Sequence, residues 1–552
     1  MNTIQLNDDI LLNVRKPARY IGAERNSIKK YWPDIKTKVC LCYPDLYEIG
    51  MSNLGIKILY HIINKQENVL CERAFTPWHD MESELRKNNI PLFSLENKVP
   101  LNEFDILGFS FSYELSYTNF LTMLSLSYIP FYSKDRGSEF PLIIAGGTAI
   151  FNPEPLADFI DLFLIGDGEE AVIDIINTYD RLKENKEDLL NEMSKIKGVY
   201  VPKLYKKDGT LFVIKKRVVK ELRNQDYPTA PIVPYITTVH DRITMEVMRG
   251  CPNSCRFCQA KSIYQPVRIR DKKDIVALIE QTYKNTGFDD ISLLSLSTSN
   301  YPGINDLLST LSKEFKDSGV RISLPSLRIE DSLESLPSLI ASTKKSGLTF
   351  APEAGSDRLL KLIDKNIEPD KLFKALRRAY ELGWRRVKFY FMIGLPSETD
   401  SDLDSIIDFS KKCALLRKEF FKHPAEITVS VSSFIPKPHT YFQSEKMEGA
   451  AELKRKQEYL KNRASNSRYL KLKFHDVKTS ILEAVFSRGD RELSKVIEQA
   501  WNNGARFDAW GESFNPDIWD DAFKKTGILK DGYLAEKTND DLLPWNHISC
   551  KL

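Results

Sequence analysis

The segment Met248-Arg-Gly-Cys-Pro-Asn-Ser-Cys-Arg-Phe-Cys-Gln259 places three cysteines, Cys251, Cys255 and Cys258, within eight residues. It directly follows Ile243–Met248, a run that predicts a strand. Three thiolates at spacings of four and three residues wrap one face of a small inorganic cluster. Because cysteine thiolates are the usual ligands of iron–sulfur clusters, the loop predicts a four-iron cluster with one iron left free for another ligand.

Zinc is the alternative that this loop leaves open, together with a thiol relay. Structural zinc takes four ligands, usually in paired short spacings. No second cysteine pair of that spacing and no nearby histidine accompanies the loop. The five further cysteines have no spacing that predicts a second cluster; they are Cys40, Cys42, Cys71, Cys413 and Cys550. Cys40 and Cys42 are expected as core thiols on one face of a strand.

Downstream of the cysteine loop, apolar strands alternate with helical stretches. Six βα units fall short of the eight in a complete barrel, so the pattern predicts an open, partial (β/α) barrel of the TIM type. The predicted strands are Ile243–Met248, Asp290–Leu296, Arg321–Leu324, Leu348–Ala351, Arg386–Phe391 and Glu426–Ser432.

Upstream of the loop, almost wholly apolar strands alternate with helices, which predicts a Rossmann-like parallel sheet covered on both faces. Ligands bind at the carboxyl ends of such strands. The predicted strands lie at 37–48, 105–112, 141–145 and 162–165. The resulting α/β organisation has four parts: an N-terminal sheet domain at 1–183, a connecting region at 184–236, the partial barrel at 237–450 and a mainly helical C-terminal cap at 451–552.

Composition is that of an ordinary globular protein. Of the 552 residues, 42% are hydrophobic and 28% are charged, which excludes a largely disordered chain. The net charge of +3 is too small to indicate nucleic acid by itself. No apolar stretch has the length of a membrane span, and the first residues lack the pattern of a signal peptide. We therefore expect a cytoplasmic protein.

The cysteine loop, with an aromatic residue before its last cysteine and a predicted partial barrel around it, resembles the radical S-adenosylmethionine (SAM) superfamily. The resemblance implies that Cys251, Cys255 and Cys258 hold a 4Fe–4S cluster whose free iron binds SAM. It implies further that an electron from the cluster cleaves SAM to methionine and a 5′-deoxyadenosyl radical. It also implies that the backbone near Phe257 contacts the adenine of SAM.

Phe350-Ala-Pro-Glu-Ala-Gly-Ser-Asp-Arg358 resembles the family segment that meets the ribose or the amino acid part of SAM. The resemblance implies SAM contacts from Glu353, Gly355 and Ser356. A carboxylate accepts hydrogen bonds from ribose hydroxyls, and glycine permits close backbone approach. The alternative for Glu353 is an acid at a helix N-terminus, where the helix dipole favours it.

Two further segments complete the implied SAM site. The segment from Lys388 to Thr399 resembles the fifth strand and glycine turn of the family, so Lys388 is an expected SAM contact. The second strand of the family usually ends in a Gly-Gly-Glu-like turn that holds the SAM amino group. This chain departs from that turn with Leu294-Ser-Leu-Ser-Thr-Ser-Asn300, where the hydroxyls of Ser297 and Thr298 would take the role.

The N-terminal sheet resembles the cobalamin-binding domain of one class of radical SAM proteins. Glycines at its strand ends would let the backbone approach a flat corrin face. The resemblance implies cobalamin contacts from Ser52, Gly55, Ser110, Gly146, Gly147 and Gly166. Many such domains carry Asp-x-His-x-x-Gly with a cobalt-binding histidine, and Ser52 stands at that position here. The cobalt would then lack a protein histidine, or the domain is a scaffold without cobalamin.

Further segments resemble a bacterial family of radical SAM proteins with this N-terminal domain and no established substrate. They are the stretches 43–55, 432–443, 484–491 and 505–510. The first catalytic candidates are Lys437 and His439, which follow the sixth predicted barrel strand. His439 would act as a proton shuttle or a substrate ligand. The alternative is a loop clamp made of two prolines and a backbone-bonded histidine.

The leading functional hypothesis is methyl transfer to an unactivated carbon with methylcobalamin as the donor. The alternatives are a cobalamin-free radical enzyme for sulfur insertion, rearrangement or RNA modification, and a non-catalytic iron–sulfur redox sensor. The expected partners are an electron donor such as flavodoxin or ferredoxin and a substrate that the sequence does not identify. Residues 452–473 carry eight Lys or Arg. They predict either an RNA-facing surface that includes Lys454, Arg455 and Lys456, or a solvated helix.

Overall fold

The computed structural model describes residues 3–205, 213–323, 347–365, 367–538 and 540–551. The first sheet has six strands: β1 (Thr37–Tyr43), β2 (Val69–Phe75), β3 (Ile106–Ser110), β4 (Leu142–Gly146), β5 (Leu162–Leu164) and β6 (Val199–Tyr200). They pair in the order β2-β1-β3-β4-β5-β6, all in parallel except the antiparallel pair of β5 and β6. The helices around this sheet are α1 (Asp8–Leu12), α2 (Tyr47–Gly50), α3 (Leu54–Asn64), α4 (His79–Lys87), α5 (Tyr117–Leu126), α6 (Ala171–Leu182) and α7 (Lys186–Met193).

Helices cover both faces of this sheet, as the apolar strands predict. Cys40 and Cys42 of β1 belong to the core on one face, where α5 packs. Val39 and Leu41 belong to the core on the opposite face, where α3 and α6 pack. The four strands predicted from the sequence are confirmed, whereas β2 and β6 are additional to these four. The charged pair Glu72-Arg73 masks β2 in the sequence, although both side chains are buried and hydrogen-bonded.

The second part of the chain contains two further parallel sheets. Their strands are β8 (Ile243–Glu246), β11 (Asp290–Leu294), β12 (Arg321–Ser323), β13 (Leu348–Glu353), β14 (Arg386–Ile393), β15 (Glu426–Ser433) and β16 (Leu470–Phe474). The orders are β12-β11-β8 and β13-β14-β15-β16. The helices are α8 (Gln259–Ile263), α9 (Lys272–Thr286), α10 (Ile304–Glu314), α11 (Asp357–Leu362), α12 (Pro369–Glu381) and α13 (Asp400–Leu415).

All six strands predicted for this part are present, although Leu324 of the third prediction lies outside the described residues. The strand β16 was not predicted, because its Leu-Lys-Leu-Lys-Phe sequence lies in a charged stretch that predicts helix. Its pairing with β15 extends the parallel sheet beyond residue 450. Alternating strands and helices confirm the α/β fold class, and the closure of the two sheets into a partial barrel stays a prediction.

The C-terminal part is mainly helical and contacts the N-terminal domain. Its helices are α14 (Ala450–Ala464), α15 (Val477–Arg488), α16 (Leu493–Asn502), α17 (Pro516–Thr526) and α18 (Asp531–Leu534). Trp510 donates from its indole nitrogen to Asp45 Oδ1 at 2.9 Å, and Asp508 accepts from Thr118 at 2.6 Å. The last strand, β17 (Ile548–Ser549), pairs with β7 (Ile214–Lys215) of the connecting region. Among the described helices, none is both long and apolar enough to cross a membrane.

Candidate cofactor site

The cysteine loop is closed at its base by a short antiparallel pair, β9 (Met248–Arg249) with β10 (Arg268–Ile269). Gly250 has a φ of +88°, and a Cβ at this position would lie 2.8 Å from the carbonyl oxygen of Tyr264. Only glycine fits there, since both the positive φ and the close backbone exclude a side chain. The Gln265 amide donates to the Cys251 carbonyl at 2.6 Å and holds the returning chain against the loop.

The three cysteines of this loop differ in their exposure. Cys251 is buried, whereas Cys255 and Cys258 are half-buried. Burial raises the pKa of the Cys258 thiol, and the neighbouring Cys255 and Cys251 raise it further. Across the parts of the chain that the structure describes, no three His, Cys, Asp or Glu side chains are grouped to hold one metal ion. The cluster assignment therefore rests on the loop sequence and on the family, and it stays a prediction.

A hydrogen-bonded chain joins the cysteine loop to the end of β11. Asn253 donates to Cys251 Sγ and to Asn300 Oδ1, both at 3.2 Å. Asn300 Oδ1 also accepts from the Ser297 hydroxyl at 2.7 Å. Thr298, in contrast, is fully buried and bonded to the Ser295 hydroxyl at 3.0 Å. In place of the Gly-Gly-Glu-like turn of the family, this chain therefore has a hydrogen-bonded link that runs from Ser297 through Asn300 and Asn253 to Cys251.

Phe257, Glu353 and Lys365 come together beside the loop. Phe257 packs on the small core that contains Ala354 and Met392. The Lys365 ammonium lies 5.9 Å from the Phe257 ring centroid and 3.7 Å from Glu353 Oε1. Burial raises the pKa of Glu353, and Lys365 opposes that shift. Glu353 also has a φ of +72°, which is rare for a residue with a side chain and is common at functional sites. The sequence contained no signal for Lys365.

Gly355 and Ser356 have structural roles in their local contacts. A Cβ on Gly355 would lie 2.3 Å from the backbone nitrogen of Ile406, so its glycine is required by packing on α13. Ser356 caps α11 by accepting from the Leu359 N–H and donates to Asp402 Oδ1 at 2.6 Å. Hydrogen bonds from Ser356, Thr399 and Arg358 hold the pKa of Asp402 at about 2 despite the opposing effect of burial. These contacts explain both residues without a ligand.

Lys388 lies in the amino-terminal half of β14. Its Nζ donates to the Tyr390 hydroxyl at 2.5 Å and lies 4.2 Å from the ring centroid. It is five residues before Ile393 at the strand's carboxyl end, roughly 17 Å at 3.3 Å per residue. This distance separates Lys388 from the strand ends where ligands bind in α/β sheets.

A cavity of about 450 Å³ lies between the N-terminal sheet and the cysteine loop. Of the six predicted cobalamin residues, five line it: Gly55, Ser110, Gly146, Gly147 and Gly166. The opposite wall is formed by Met248, Arg249, Gly250 and the stretch 294–296 from the end of β11. The cavity therefore joins the strand ends of the first domain to the residues that directly precede Cys251. No histidine is among its lining residues.

The cavity glycines serve two different purposes. Gly147 and Gly166 have φ values of +111° and +108°, and a Cβ on either would clash with the backbone of Phe111 or Arg217. These two are required by the fold. A Cβ on Gly146 would meet nothing closer than the Leu164 carbonyl oxygen at 3.9 Å. Gly146 therefore leaves space that belongs to the cavity, and a flat cofactor fits such a bare wall.

Ser52 lies outside the cavity lining. Its hydroxyl donates to the Glu48 carbonyl at 2.7 Å and accepts from the His240 N–H at 3.0 Å. It stabilises the turn before α3 and the start of the second part of the chain. The two histidines of this domain, His61 and His79, are bonded to the Gln225 carbonyl and the Ser513 hydroxyl.

Arg249 connects the two cavity walls, and the sequence contained no signal for this role. Its guanidinium contacts Asp167 Oδ1 at 3.0 Å and Glu169 Oε1 at 2.7 Å in the first domain. It also contacts Glu246 Oε1 of its own strand at 2.8 Å. All four side chains are almost buried. The ion pairs fix the cavity floor relative to Cys251, two residues later.

Lys437 and His439 are bound inside the protein. The Lys437 ammonium contacts Glu114 at 2.6 Å and Glu483 at 2.8 Å. Burial lowers the pKa of Lys437, but the two carboxylates outweigh this effect and raise it above its usual value. His439 Nε2 is hydrogen-bonded to the Phe151 carbonyl at 2.9 Å, and burial lowers its pKa to about 4. Both side chains join the loop after β15 to the N-terminal domain, which agrees with the loop-clamp alternative.

Two of the cations of the predicted RNA-facing surface are paired with carboxylates. Lys456 is buried between Glu398 and Glu448, at 2.8 and 2.7 Å. Arg455 contacts Asp400 and Glu452, both at 2.8 Å. Paired charges contribute little to phosphate binding. These contacts agree with the solvated-helix alternative for α14.

Comparison with known families gives two matches. Residues 245–410 match the radical SAM superfamily, and residues 55–202 match the N-terminal region of radical SAM proteins. An uncharacterised protein of Methanocaldococcus jannaschii is 29% identical over 497 residues, which cover 89% of this chain and 98% of that protein. A tRNA-2-methylthio-N(6)-dimethylallyladenosine synthase of Petrotoga mobilis is 26% identical over 38% of this chain and 48% of its own length.

Among solved structures, the fold is similar to that of TsrM from Kitasatospora setae. TsrM is a radical SAM methyltransferase, and one of its structures has cobalamin and a 4Fe–4S cluster bound. The TM-score is 0.50 at 13% sequence identity, and the match covers 74% of this chain and 77% of that one. At this identity the likeness establishes the fold, which confirms the predicted α/β arrangement.

Proposed function

We propose that this chain, which belongs to the radical SAM superfamily, is an enzyme that cleaves SAM reductively and uses the cavity between its two domains for cobalamin. The observation that carries the proposal is the position of that cavity. Its walls are the strand ends of the N-terminal sheet on one side and the residues before Cys251 on the other. A second cofactor in this cavity would therefore lie next to the first.

The cluster site would be formed by Cys251, Cys255 and Cys258. When bound, a 4Fe–4S cluster supplies the electron that splits SAM into methionine and the 5′-deoxyadenosyl radical. The chain's own contribution is to hold the loop: Gly250 permits its tight start, and Asn253 donates to the Cys251 sulfur. Hydrogen bonds to a cluster's thiolates tune its reduction potential, so Asn253 would set how readily the electron is transferred.

SAM would bind between the loop and the ends of β11 and β13. Phe257 would place its backbone against adenine, Glu353 would accept from the ribose, and Ser297 would hold the amino acid part. Lys365 joins this group because its ammonium lies 3.7 Å from Glu353 Oε1 and opposes the rise in the Glu353 pKa that burial causes. An acceptor held in this way is ready for hydroxyl donors without further rearrangement.

Cobalamin would lie against Gly146 and Gly55. When bound, cobalamin carries the methyl group that this class transfers. The bare wall at Gly146 and the apolar lining from Leu41, Ile144 and Leu164 support a large flat ligand. Since no histidine lines the cavity, the protein would leave the cobalt without a histidine ligand. The reaction class that follows is methyl transfer, with reducing equivalents from a flavodoxin or a ferredoxin.

Methylthio transfer, a form of sulfur insertion, is the second candidate. The observation that favours it is the similarity to the tRNA methylthio synthase over 38% of this chain. This candidate needs SAM cleavage but no corrin. Co-purification therefore separates the two: a corrin absorbance spectrum in the purified protein supports methyl transfer, and its absence after cobalamin-supplemented expression supports the second candidate.

The test of SAM cleavage uses anaerobically reconstituted, reduced protein with added SAM. We expect 5′-deoxyadenosine in the wild type and none in Cys255→Ala, which removes one cluster ligand. A matched control is Cys413→Ala, a buried cysteine outside the loop, which we expect to keep its iron. A wild-type protein that binds no iron would contradict the proposal and return the loop to zinc. Iron binding without SAM cleavage in the presence of cell-extract substrates would favour the redox sensor.

A further inference from the structure

One face of the sheet β13-β14-β15-β16 carries a group of polar side chains that the proposed cofactors do not use. The register places Lys388, Thr428 and Lys471 side by side across three strands. Tyr390, Ser430 and Lys473 form the row two residues further along. Because side chains alternate along a strand, all six project from the same face. We call this group the lysine face.

The opposite face of these strands is apolar and covered. Val387, Phe389, Val429 and their neighbours are buried in the core to which α13 and α14 contribute. Strands of parallel α/β sheets are normally buried on both faces. On the lysine face, however, Lys471 and Lys473 are exposed, and Tyr390 keeps 40% of its surface accessible. An uncovered face of this kind is available to a ligand.

The charge of the lysine face is not neutralised by the residues that the structure describes. Within those residues, none of its three lysines forms an ion pair with a carboxylate. The carboxylate at the amino end of the same face, Glu426, is bound by Arg385. Lys388 is oriented by Tyr390, whose hydroxyl and ring it contacts. The face therefore offers three cations, one of them preorganised.

The spacing of these cations defines the ligand. Strands lie about 4.8 Å apart and residues on one face about 6.6 Å apart. Lys388 and Lys471 are therefore roughly 10 Å apart at their Cα atoms, and Lys471 and Lys473 roughly 7 Å. The row of Tyr390 lies three residues before the end of β14, roughly 10 Å from the edge where SAM would bind.

We propose that the lysine face binds the phosphate groups of the substrate, a ligand of nucleotide size or larger that carries at least two phosphates. The proposal rests on the proposed function, because it assumes that the reacting carbon lies at the carboxyl ends of these strands. Several separated cations favour a ligand with several anionic groups. Because the lysines lie about 10 Å or more before the carboxyl ends of the strands, the ligand must be long enough to reach from them to the SAM site. Lysine is a compact charge that suits phosphate oxygens.

Protection of a sheet edge is the competing explanation for part of the pattern. Lysines on an edge strand discourage pairing with other chains, and β16 is the edge of its sheet. Lys388 separates the two explanations, because β14 is an interior strand where edge protection has no purpose. A phosphate site requires Lys388 as well as Lys471 and Lys473.

The test measures binding by the full-length protein without SAM, so it does not depend on turnover. The probes are inorganic tripolyphosphate, measured by calorimetry, and a fluorescein-labelled single-stranded RNA of twelve nucleotides, measured by anisotropy. We expect Lys471→Gln/Lys473→Gln to weaken at least one probe about tenfold and to reduce the salt slope for RNA by about 1.4. Lys388→Gln should weaken the same probe. The two probes distinguish a free polyphosphate group from a nucleic acid backbone.

The matched control is Lys374→Gln/Lys524→Gln, which removes the same charge from two exposed lysines on α12 and α17. We expect it to leave both affinities unchanged. Equal affinities in both double variants, no wild-type binding of either probe, or a loss confined to the control pair would each overturn the proposal. Phosphate binding without SAM cleavage would instead contradict the proposed function and leave the lysine face intact.

Discussion

Replacing Gly146 with leucine tests whether the interdomain cavity is a cofactor site. Gly146 ends β4 and lines the cavity, and a Cβ there would meet only the Leu164 carbonyl oxygen at 3.9 Å. That distance is ordinary van der Waals contact, and the φ of Gly146 is not in the positive region. The Cβ of Gly146→Leu would therefore lie at the cavity wall without displacing protein atoms.

The expected size of the effect follows from comparing the cost to the fold with the cost to cofactor binding. The fold loses little, because glycine within a strand is already roughly 0.5–1 kcal/mol less stable than alanine. A cofactor that approaches the same wall meets the added carbons, and overpacking costs about 1–3 kcal/mol. The dissociation constant for cobalamin should therefore rise roughly 5- to 150-fold. Gly147→Ala should behave oppositely, because its Cβ would lie 2.3 Å from the Phe111 carbonyl oxygen at a φ of +111°.

The assay titrates hydroxocobalamin into each variant and follows the corrin absorbance, with thermal unfolding by circular dichroism on the same samples. Gly146→Leu should lose affinity at an unchanged midpoint. Gly147→Ala should lower the midpoint by several degrees, since backbone strain costs about 1–3 kcal/mol. Unchanged cobalamin affinity in Gly146→Leu would refute the assignment of the cavity. If Gly146→Leu lost affinity but its thermal midpoint also fell by several degrees, as expected for Gly147→Ala, the loss would be explained by destabilisation and the reasoning would be refuted.

Three further predictions concern the supports of the site. Arg249→Gln leaves Asp167, Glu169 and Glu246 without their shared cation. We therefore expect the free energy of unfolding, measured by urea titration, to fall by about 3–5 kcal/mol. The control Arg455→Gln, on the exposed helix α14, should leave the free energy of unfolding unchanged. The His439 pKa of about 4 lies below its unfolded value of 6.5, so stability is complete above pH 6.5 and declines towards pH 4. His439→Gln should flatten that part of a pH series of thermal midpoints, and an unaltered slope would contradict the buried, neutral imidazole. Gly355→Ala should lower the thermal midpoint because its Cβ would lie 2.3 Å from Ile406 N, and SAM affinity measured well below that midpoint should be unchanged if packing alone requires the glycine.

Local patterns predicted most of the fold. The strands of both parallel regions were recognisable because apolar runs bounded by glycine turns depend on neighbouring residues alone. Two of the strands that were not predicted, β2 and β16, carry charged residues. In β2 the pairing of Arg73 with Glu24 and Glu96 makes burial of the charge tolerable. Such partners are distant in sequence, so a local pattern contains no sign of them.

The predicted site divides in the same way. The cysteine loop could be identified from the sequence because cluster ligands need fixed short spacings, and the family comparison agrees with it. The backbone requires glycine at Gly250, Gly147 and Gly166, and the cobalamin contacts expected of Gly147 and Gly166 stay a prediction. The sequence left two interpretations of Lys437 and His439 open, a catalytic role and a loop clamp, since their partners Glu114, Glu483 and Phe151 belong to other parts of the chain.

The sequence by itself determined the α/β class, the resemblance to the radical SAM superfamily and the cysteine loop, because each of these depends on residue spacing along the chain. Only the tertiary structure decided that the cavity of the first domain opens on the residues before Cys251, and that Arg249 joins its two walls. It also decided that Lys388, Lys471 and Lys473 share one face. These features arise from strands brought together across more than eighty residues, and their physical origin is the register of the sheets and the packing between domains.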